Sequence, residues 1–222
     1  MKLLEDRIRA EGKILPGDII KVDGFLNHRV DVSLLRECAK EFGRLFDTSA
    51  ITCVVTIEAS GIPIATVCAE EFGVPLIYAK KAKSENISDN VYTSDIRSYT
   101  YNKPVTLTLS KEWLSKDDKV LVIDDFMANG QALSGLIDII EQAGAELVGI
   151  GIAIEKGFQP GGASLRAKGY NLRSLAIIDK ADETVSSSAH RNSLRRVKNV
   201  RQCSSRVNEK DQYRGTGGSV HQ

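Results

Sequence analysis

The apolar residues of this chain follow two patterns. Apolar and β-branched runs, typical of strands buried on both faces of a sheet, occur at 52–57, 120–123 and 147–154, and a further strand is predicted at 172–178. Elsewhere apolar residues recur at three- and four-residue spacing, which predicts helices over 31–46, 61–71, 131–143 and 163–167. Further strands are predicted at 18–22, 75–80 and 105–109, and a short helix ends at Gly12. The alternation of strands and helices predicts an α/β fold, with a mostly parallel, twisted, doubly wound sheet flanked by helices.

The centre of this pattern is the stretch from Val120 to Ala132. A buried strand is followed by two acids, Asp124 and Asp125, then by small or flexible residues, then by an amphipathic helix that stops at Gly144. The order strand, polar loop, helix places the loop at the carboxyl edge of a parallel sheet, where open α/β folds bind ligands. The free N–H groups at the start of the helix favour an anion there.

The two adjacent acids add information beyond the anion site. Neighbouring carboxylates repel each other unless they hold something, and sugar hydroxyls or a divalent cation would both fit. Together with the anion site, they indicate a phosphorylated sugar. The alternative is an ordinary strand end, whose acids are solvated turn formers.

The stretch Asp124-Asp-Phe-Met-Ala-Asn-Gly-Gln-Ala132 resembles the signature of type I phosphoribosyltransferases, which bind 5-phosphoribosyl 1-pyrophosphate (PRPP). Three further stretches resemble the bacterial xanthine phosphoribosyltransferases, a purine-salvage group of that family. They are Lys21-Val-Asp-Gly-Phe-Leu-Asn-His28, Thr56-Ile-Glu-Ala-Ser-Gly-Ile62 and Gly149-Ile-Gly-Ile-Ala-Ile-Glu-Lys-Gly-Phe-Gln-Pro-Gly161. The resemblance covers residues 1–180, as one phosphoribosyltransferase domain with an N-terminal hood over about 1–35.

The resemblance implies a reaction and its requirements. Xanthine and PRPP would give xanthosine 5′-monophosphate and pyrophosphate, with Mg²⁺ held through substrate and water rather than directly by protein side chains. The chain would be a cytoplasmic homodimer. A guanine or hypoxanthine phosphoribosyltransferase is an alternative, because one oxo group is a narrow difference. Another is a PRPP-sensing regulator like the purine operon repressor, although its DNA-binding domain has no counterpart in the fifty residues before the first core strand.

The resemblance also implies roles for individual residues. The catalytic pair, Asp124 and Asp125, would hold the ribose hydroxyls and lie near the positive charge that develops on the ring. PRPP would be bound by the turn at Ser60 and Gly61, by Lys81 and Lys83, and by Ala128, Asn129, Gly130, Gln131 and Ala132. Xanthine would be bound by Ile20, Asn27 and Lys156.

Each of these roles has a structural alternative. Lys81 and Lys83 lie in a polar segment, where lysines are commonly solvated. Asn27 would cap a turn at Gly24, and Ile20 would be plain strand core. Lys156 ends a buried strand, so its ammonium needs a partner, and a purine oxo group is one. Two aromatic residues are candidate neighbours of the base or members of the core, namely Phe25 and Phe158.

The segment 81–103 lacks an apolar period and is long for a connection inside a compact domain. Its isolated apolar residues, Ile87, Val91 and Ile96, are surrounded by Ser, Asn, Asp and Lys. We expect it to be a flexible lid that closes over PRPP, because a reactive ribose cation must be shielded from water.

Residues 181–222 differ from the rest of the chain. They are rich in Ser, Arg, Asn and Gly, and they contain eight Lys and Arg against four Asp and Glu. A segment with so few apolar residues is expected to be a disordered basic tail, either an interaction tail or a neutral extension.

The composition excludes other classes of protein. With 30 basic and 29 acidic residues, the chain offers no overall electrostatic case for nucleic acid. No apolar run reaches membrane-spanning length, and the first residues are too charged for a signal peptide. The four cysteines show no metal-ligand spacing, and we expect reduced thiols in Cys38, Cys53, Cys68 and Cys203.

Overall fold

A computed structural model of the chain describes residues 1–82, 90–97, 104–180, 195–196 and 199–201. Its helices are α1 (Lys2–Glu11), α2 (Val32–Leu45), α3 (Gly61–Phe72), α4 (Gln131–Ala143) and α5 (Gly161–Ala167). Its strands are β1 (Lys13–Leu15), β2 (Ile19–Lys21), β3 (Cys53–Ile57), β4 (Leu76–Ala82), β5 (Val91–Arg97), β6 (Pro104–Ser110), β7 (Lys119–Met127), β8 (Glu146–Lys156), β9 (Leu172–Lys180), β10 (Arg195–Arg196) and β11 (Asn199–Arg201).

In the described residues the main sheet has the strand order β11-β9-β8-β7-β3-β4-β6-β5. The five central strands, from β9 to β4, pair in parallel. The strands outside them, β11 at one edge and β6 and β5 at the other, pair antiparallel. The predicted fold class, a mostly parallel sheet flanked by helices, is confirmed.

Each face of the sheet packs against its own hydrophobic core. Successive side chains of a strand point to opposite faces, so Leu121 and Ile123 join the core beneath α2 and α3. Val120 and Val122 join the core beneath α4. Because β7 is covered on both faces, it forms the continuous apolar run seen in the sequence. The centre of the sheet is therefore the best-supported place for a polar site at a strand end.

The hood, the N-terminal part over about 1–35, contributes β1 and β2 to a second, smaller sheet. In this sheet β1 lies between β2 and β10, a strand of the tail. The strands are two or three residues long, and the turn before β2 contains Asp18 with a positive φ of 57°. Asp31 caps α2 through a 3.1 Å hydrogen bond from the Leu34 N–H to its carboxylate, as predicted. The strand β1 was missed, because three residues carry no recognisable period.

Two predicted segments, the lid and the basic tail, contain strands; the closure of the lid over PRPP and the disorder of the rest of the tail stay predictions. Val91–Arg97, in the middle of the predicted lid, is strand β5, and Gln142 of α4 donates a 2.8 Å hydrogen bond to the Thr93 carbonyl. Residues 83–89 and 98–103 of that segment lie outside the described residues. The basic tail contains β10 and β11. Its strand β11 pairs with β9, and Val200 is only 7% exposed in the core beneath α2 and α3.

The three described cysteines are free and buried, in agreement with the prediction. Burial raises the pKa of the Cys38 thiol to about 12 and that of the Cys53 thiol to about 11. These thiols therefore stay neutral and unreactive in the folded chain. Cys203 lies outside the described residues. None of the helices in the described ranges is long and apolar enough to cross a membrane.

Candidate active site

The two acids lie at the end of β7, inside the protein rather than on its surface. Asp124 is 8% exposed and Asp125 is 3% exposed, and the Asp125 N–H donates a 3.0 Å hydrogen bond to the Asp124 carboxylate. Burial raises the pKa of Asp124 well above its usual range, and the neighbouring charge of Asp125 raises it further. A positive charge or hydroxyl donors beside this carboxyl would favour its ionised form.

Asp125 is the point at which three distant parts of the sequence meet. The Asn27 amide of the hood donates to one carboxylate oxygen at 2.9 Å. The Ser60 hydroxyl, from the turn before α3, donates to the other oxygen at 3.1 Å. The structure thus brings together Asn27 of the hood, the turn before α3 and the end of β7, while the binding roles of these residues stay a prediction.

The turn between β3 and α3 closes tightly around the acids. A Cβ atom on Gly61 would lie 2.4 Å from a carboxylate oxygen of Asp124 and 2.2 Å from the Thr56 hydroxyl. Only glycine fits at this position. Ser60 occupies the N-cap position of α3, yet its side chain makes no capping hydrogen bond because the hydroxyl is directed to Asp125. In the first turn of α3, Pro63 has no N–H and the Ile62 N–H donates a 3.3 Å hydrogen bond to the Ala59 carbonyl. The Gly61 N–H is therefore the candidate donor for an anion at this helix start.

The second anion site is the loop from 128 to 132, which we call the phosphate loop. Gly130, the N-cap residue of α4, has a φ of +76°, which favours glycine, and no side chain caps the helix. The hydrogen bonds of the helix begin with the Ser134 N–H, which donates to the Gly130 carbonyl at 2.9 Å. The N–H groups of Gln131, Ala132 and Leu133 precede it and are the orphan donors of the helix start. They are suited to bind a phosphate.

The two candidate lysines of the PRPP site have different outcomes. Lys81 is exposed on β4, and its backbone N–H donates a 2.5 Å hydrogen bond to the carboxylate of Glu58. Its ammonium is close enough to contribute a small lowering of the Asp124 pKa against the larger effect of burial. Lys83 lies outside the described residues.

The three candidate base-binding residues lie on two elements of the hood and on β8. The Lys156 ammonium donates a 3.1 Å hydrogen bond to the Asp18 carbonyl, which ties the end of β8 to the turn before β2. Burial lowers the pKa of Lys156, and the Asp18 charge partly offsets that shift. Ile20 is buried in the core beneath α2 and α3, and its contact with a base stays a prediction. Asn27 is described above.

The two aromatic candidates, Phe25 and Phe158, differ in burial. Phe25 is fully buried, and the Arg7 guanidinium lies 5.4 Å from the centre of its ring. It is therefore a core residue, the alternative that the sequence left open. Phe158 is partly buried and packs against the same core.

Sequence reasoning missed a buried polar cluster behind the site. Glu155 is 3% exposed, accepts 2.8 and 2.6 Å hydrogen bonds from both terminal nitrogens of Arg166, and accepts a third from the Ser174 hydroxyl. Burial alone would raise the pKa of Glu155, but these donors hold it below its usual value. The only signal in the sequence was an acid at the end of a buried strand, since its partners lie 11 and 19 residues away.

Comparison with known proteins agrees with this geometry. The phosphoribosyl transferase domain family matches residues 32–187. Xanthine phosphoribosyltransferase of Ruminiclostridium cellulolyticum is 50% identical over 182 residues, which cover 82% of this chain and 96% of that protein. The Bacillus cytotoxicus protein of the same name is 48% identical over 183 residues, covering 82% of this chain and 93% of its own.

Solved structures show the same fold. The adenine phosphoribosyltransferase (APRTase) of Giardia lamblia, complexed with 9-deazaadenine, has a TM-score of 0.67 at 25% identity, covering 78% of this chain and 96% of that one. The Leishmania donovani adenine phosphoribosyltransferase has a TM-score of 0.66 at 16% identity, covering 87% of this chain and 88% of that one. The chain belongs to the phosphoribosyltransferase family and is similar to its xanthine phosphoribosyltransferases.

Proposed function

We propose that this protein is a purine-salvage enzyme that converts xanthine and PRPP to xanthosine 5′-monophosphate and pyrophosphate. The observation that supports it most is the convergence on Asp125. A donor from the predicted base side, Asn27, and a donor from the predicted pyrophosphate turn, Ser60, bind the same carboxylate. A ribose located there would have its base on one side and its leaving group on the other.

The proposed reaction forms one bond and breaks one bond at C1 of the ribose. N9 of xanthine attacks C1, the bond from C1 to the pyrophosphate oxygen breaks, and the electron pair leaves with pyrophosphate. The proton displaced from N9 is released to solvent. Positive charge develops on the ring and negative charge on the leaving group. Asp124 and Asp125 hold the ribose hydroxyls and stabilise the ring charge, because fixed charges in a buried site act strongly on a developing charge.

The phosphates are held at the two helix starts. The phosphate loop (Ala128, Asn129, Gly130, Gln131 and Ala132) binds the 5-phosphate through backbone N–H groups. The turn at Ser60 and Gly61 binds pyrophosphate in the same way, with Lys81 adding positive charge.

Mg²⁺ fits this donor set through substrate oxygens and water. In the described ranges no cluster of three or more His, Cys, Asp or Glu residues is arranged to hold a metal. Two adjacent buried carboxylates still need a positive charge nearby, and hard cations prefer oxygen ligands. When bound, Mg²⁺ supplies positive charge to the pyrophosphate oxygens. The residues that would face it are Asp124 and Asp125, across the ribose hydroxyls.

On the base side, Asn27 and Lys156 recognise the edge of the purine and Ile20 supplies an apolar contact. A side-chain amide offers both a donor and an acceptor, which suits a base with N–H and C=O groups. The partly desolvated Lys156 ammonium already binds a carbonyl oxygen, that of Asp18, and a purine oxo group has the same chemistry.

A base-specificity assay tests this proposal. Initial rates are measured with PRPP, Mg²⁺ and, in turn, xanthine, guanine and hypoxanthine. We expect the highest kcat/KM with xanthine. A clear preference for guanine or hypoxanthine would replace the substrate while keeping the reaction, and no product with any of the three would reject the enzyme. We also propose that the protein is a cytoplasmic homodimer. Sedimentation of the full chain tests the oligomeric state, for which a monomer would be the contrary result.

A further inference from the structure

The phosphate loop rests directly on the start of α5. A Cβ atom on Gly161 would lie 2.4 Å from the Ala128 carbonyl oxygen and 2.7 Å from the Gly130 nitrogen. A Cβ on Gly130 would in turn lie 3.3 Å from the Gly161 Cα. Two backbones without side chains between them are in van der Waals contact here. The position of the loop is therefore set by the position of the first turn of α5.

The position of α5 is set by the buried cluster on β8 and β9. Arg166 of α5 forms a two-pronged ion pair with Glu155, and Ser174 of β9 donates to the same carboxylate. A Cβ on Gly162 would lie 1.9 Å from a carboxylate oxygen of Glu155, so the helix start also fits closely around this group. Paired guanidinium and carboxylate groups fix orientation as well as distance.

Glu155 also joins the loop through the sheet. Its backbone lies opposite Met127, the last residue of β7 before the phosphate loop. The loop is thus held at its start by β8, through Met127, and from behind by α5, through Gly161. Both supports depend on the same residue, Glu155, which has no place in the reaction proposed above.

We propose that Glu155, Arg166 and Gly161 are positioning residues for PRPP, in which the Glu155–Arg166 pair fixes α5 and the α5 backbone fixes the phosphate loop. This inference rests on the proposed function, in that the loop is taken to bind the 5-phosphate. Backbone N–H groups cannot adjust to a displaced ligand as a flexible side chain does. A small shift of the loop therefore weakens phosphate binding while the acids and the base side stay in place.

The first test is Gly161→Ala in the full chain, with Gly43→Ala as the matched control. The added methyl at 161 must push the loop, whereas at 43 it meets only Phe72 at an ordinary 3.4 Å. We expect the KM for PRPP to rise about tenfold or more in Gly161→Ala, with a much smaller change in the KM for xanthine. Wild-type KM for PRPP in a folded Gly161→Ala protein would overturn the proposal.

The second test does not depend on tolerance of the new methyl group. Arg166→Lys keeps the charge but loses the two-pronged geometry, and Arg166→Met loses both. The KM for PRPP should rise in the order wild type, Arg166→Lys, Arg166→Met, and the control Arg44→Lys, which alters an exposed pair with Glu41, should match wild type. Equal KM values for PRPP together with a lowered melting temperature would make the cluster merely structural and overturn the proposal.

Calorimetric titration with ribose 5-phosphate separates this inference from the proposed function. The ligand contains the 5-phosphate but supports no transfer. If the wild type binds it and Gly161→Ala binds it about tenfold more weakly, the positioning role stands even where xanthine is not turned over. Equal affinity of the two proteins rejects the positioning role even where the wild type makes xanthosine 5′-monophosphate.

Discussion

The two sides of the site are held in different ways. The acids lie in the last part of β7, and the phosphate loop follows it. Strand β7 pairs with β3 and β8 on either side and is covered on both faces. The base side lies in the hood, whose strands are two or three residues long. The hood is held to the sheet through side chains. Its apolar residues, Ile14, Ile20 and Phe25 among them, pack in one core with Leu121 and Ile123 of β7. Two hydrogen bonds add to this packing, from Asn27 to Asp125 and from Lys156 to the Asp18 carbonyl.

The two sides therefore differ in how firmly their residues are held in place. A strand in the middle of a sheet is held by backbone hydrogen bonds that every residue contributes, so its end has a fixed position. In the described residues the small sheet shares no backbone ladder with the main sheet, so it is held through side chains and we expect it to be easier to displace. We therefore expect the proposed PRPP side to be preorganised for chemistry, and substitutions on the proposed base side to change specificity.

The largest expected effect comes from the preorganised side. Asp124→Asn combined with Asp125→Asn should lower kcat by about 100-fold or more, because the charges that stabilise the ribose cation are lost. The amides keep the shape, so the circular dichroism should be unchanged. Asp138→Asn, an exposed position on α4, is the control. Near-normal turnover in the double variant would remove the acids from the mechanism.

The second effect comes from the hood. Asn27→Ala should weaken the use of xanthine by about 1–3 kcal/mol in kcat/KM, the usual effect of losing one partner of a buried hydrogen bond. The effect on PRPP should be smaller. Ser60→Ala, which removes the other donor to Asp125, should show the reverse preference. If Asn27→Ala lowers the use of every purine and of PRPP equally, Asn27 is a structural turn residue instead.

The third effect concerns β11, the strand that attaches the tail to the main sheet. Val200 is buried, and its carbonyl accepts a hydrogen bond from Arg9 of α1. Val200→Ala should lower the free energy of unfolding by about 1–2 kcal/mol, measured by urea denaturation. Val32→Ala, at a position that is 47% exposed, is the control and should change little. No loss at Val200 would mean that the tail is unattached in solution.

The smallest effect is a pH dependence at Asp124. Its pKa is raised in the folded protein, so the unfolded chain releases this proton first as the pH rises. The stability of the ligand-free wild type should therefore fall between the unfolded and folded pKa values of this carboxyl. Asp124→Asn removes the contribution, whose slope is at most about 1.4 kcal/mol per pH unit. Melting temperatures of the two proteins should diverge as the pH rises, and parallel curves would contradict the shift.

The sequence predicted the elements whose pattern is local. Helix α4 was predicted with both of its ends, because the apolar period and Gly144 lie within one continuous stretch. Strand β5 was not, since its core side presents Tyr92, Ser94 and Ile96, a weak alternation with a polar residue in the middle. Strand β11 contributes one buried valine, and its partner β9 ends 19 residues before it.

The site residues also differ in whether a local sequence pattern predicts them. Asp124, Asp125 and the phosphate loop could be predicted, because one strand, loop and helix contain all of them. The hydrogen bond from Asn27 to Asp125 joins residues 98 positions apart, and no local pattern predicts such a pair. Glu155 was missed for the same reason, because its partners come from α5 and β9.

The most direct measurement of the central claim is the identification of products from xanthine, PRPP and Mg²⁺. Wild-type protein should form xanthosine 5′-monophosphate and pyrophosphate in equal amounts, with no product when either substrate is omitted, and the double asparagine variant should form almost none. Release of pyrophosphate with ribose 5-phosphate in place of the nucleotide, or no reaction of PRPP with any purine, would contradict the claim.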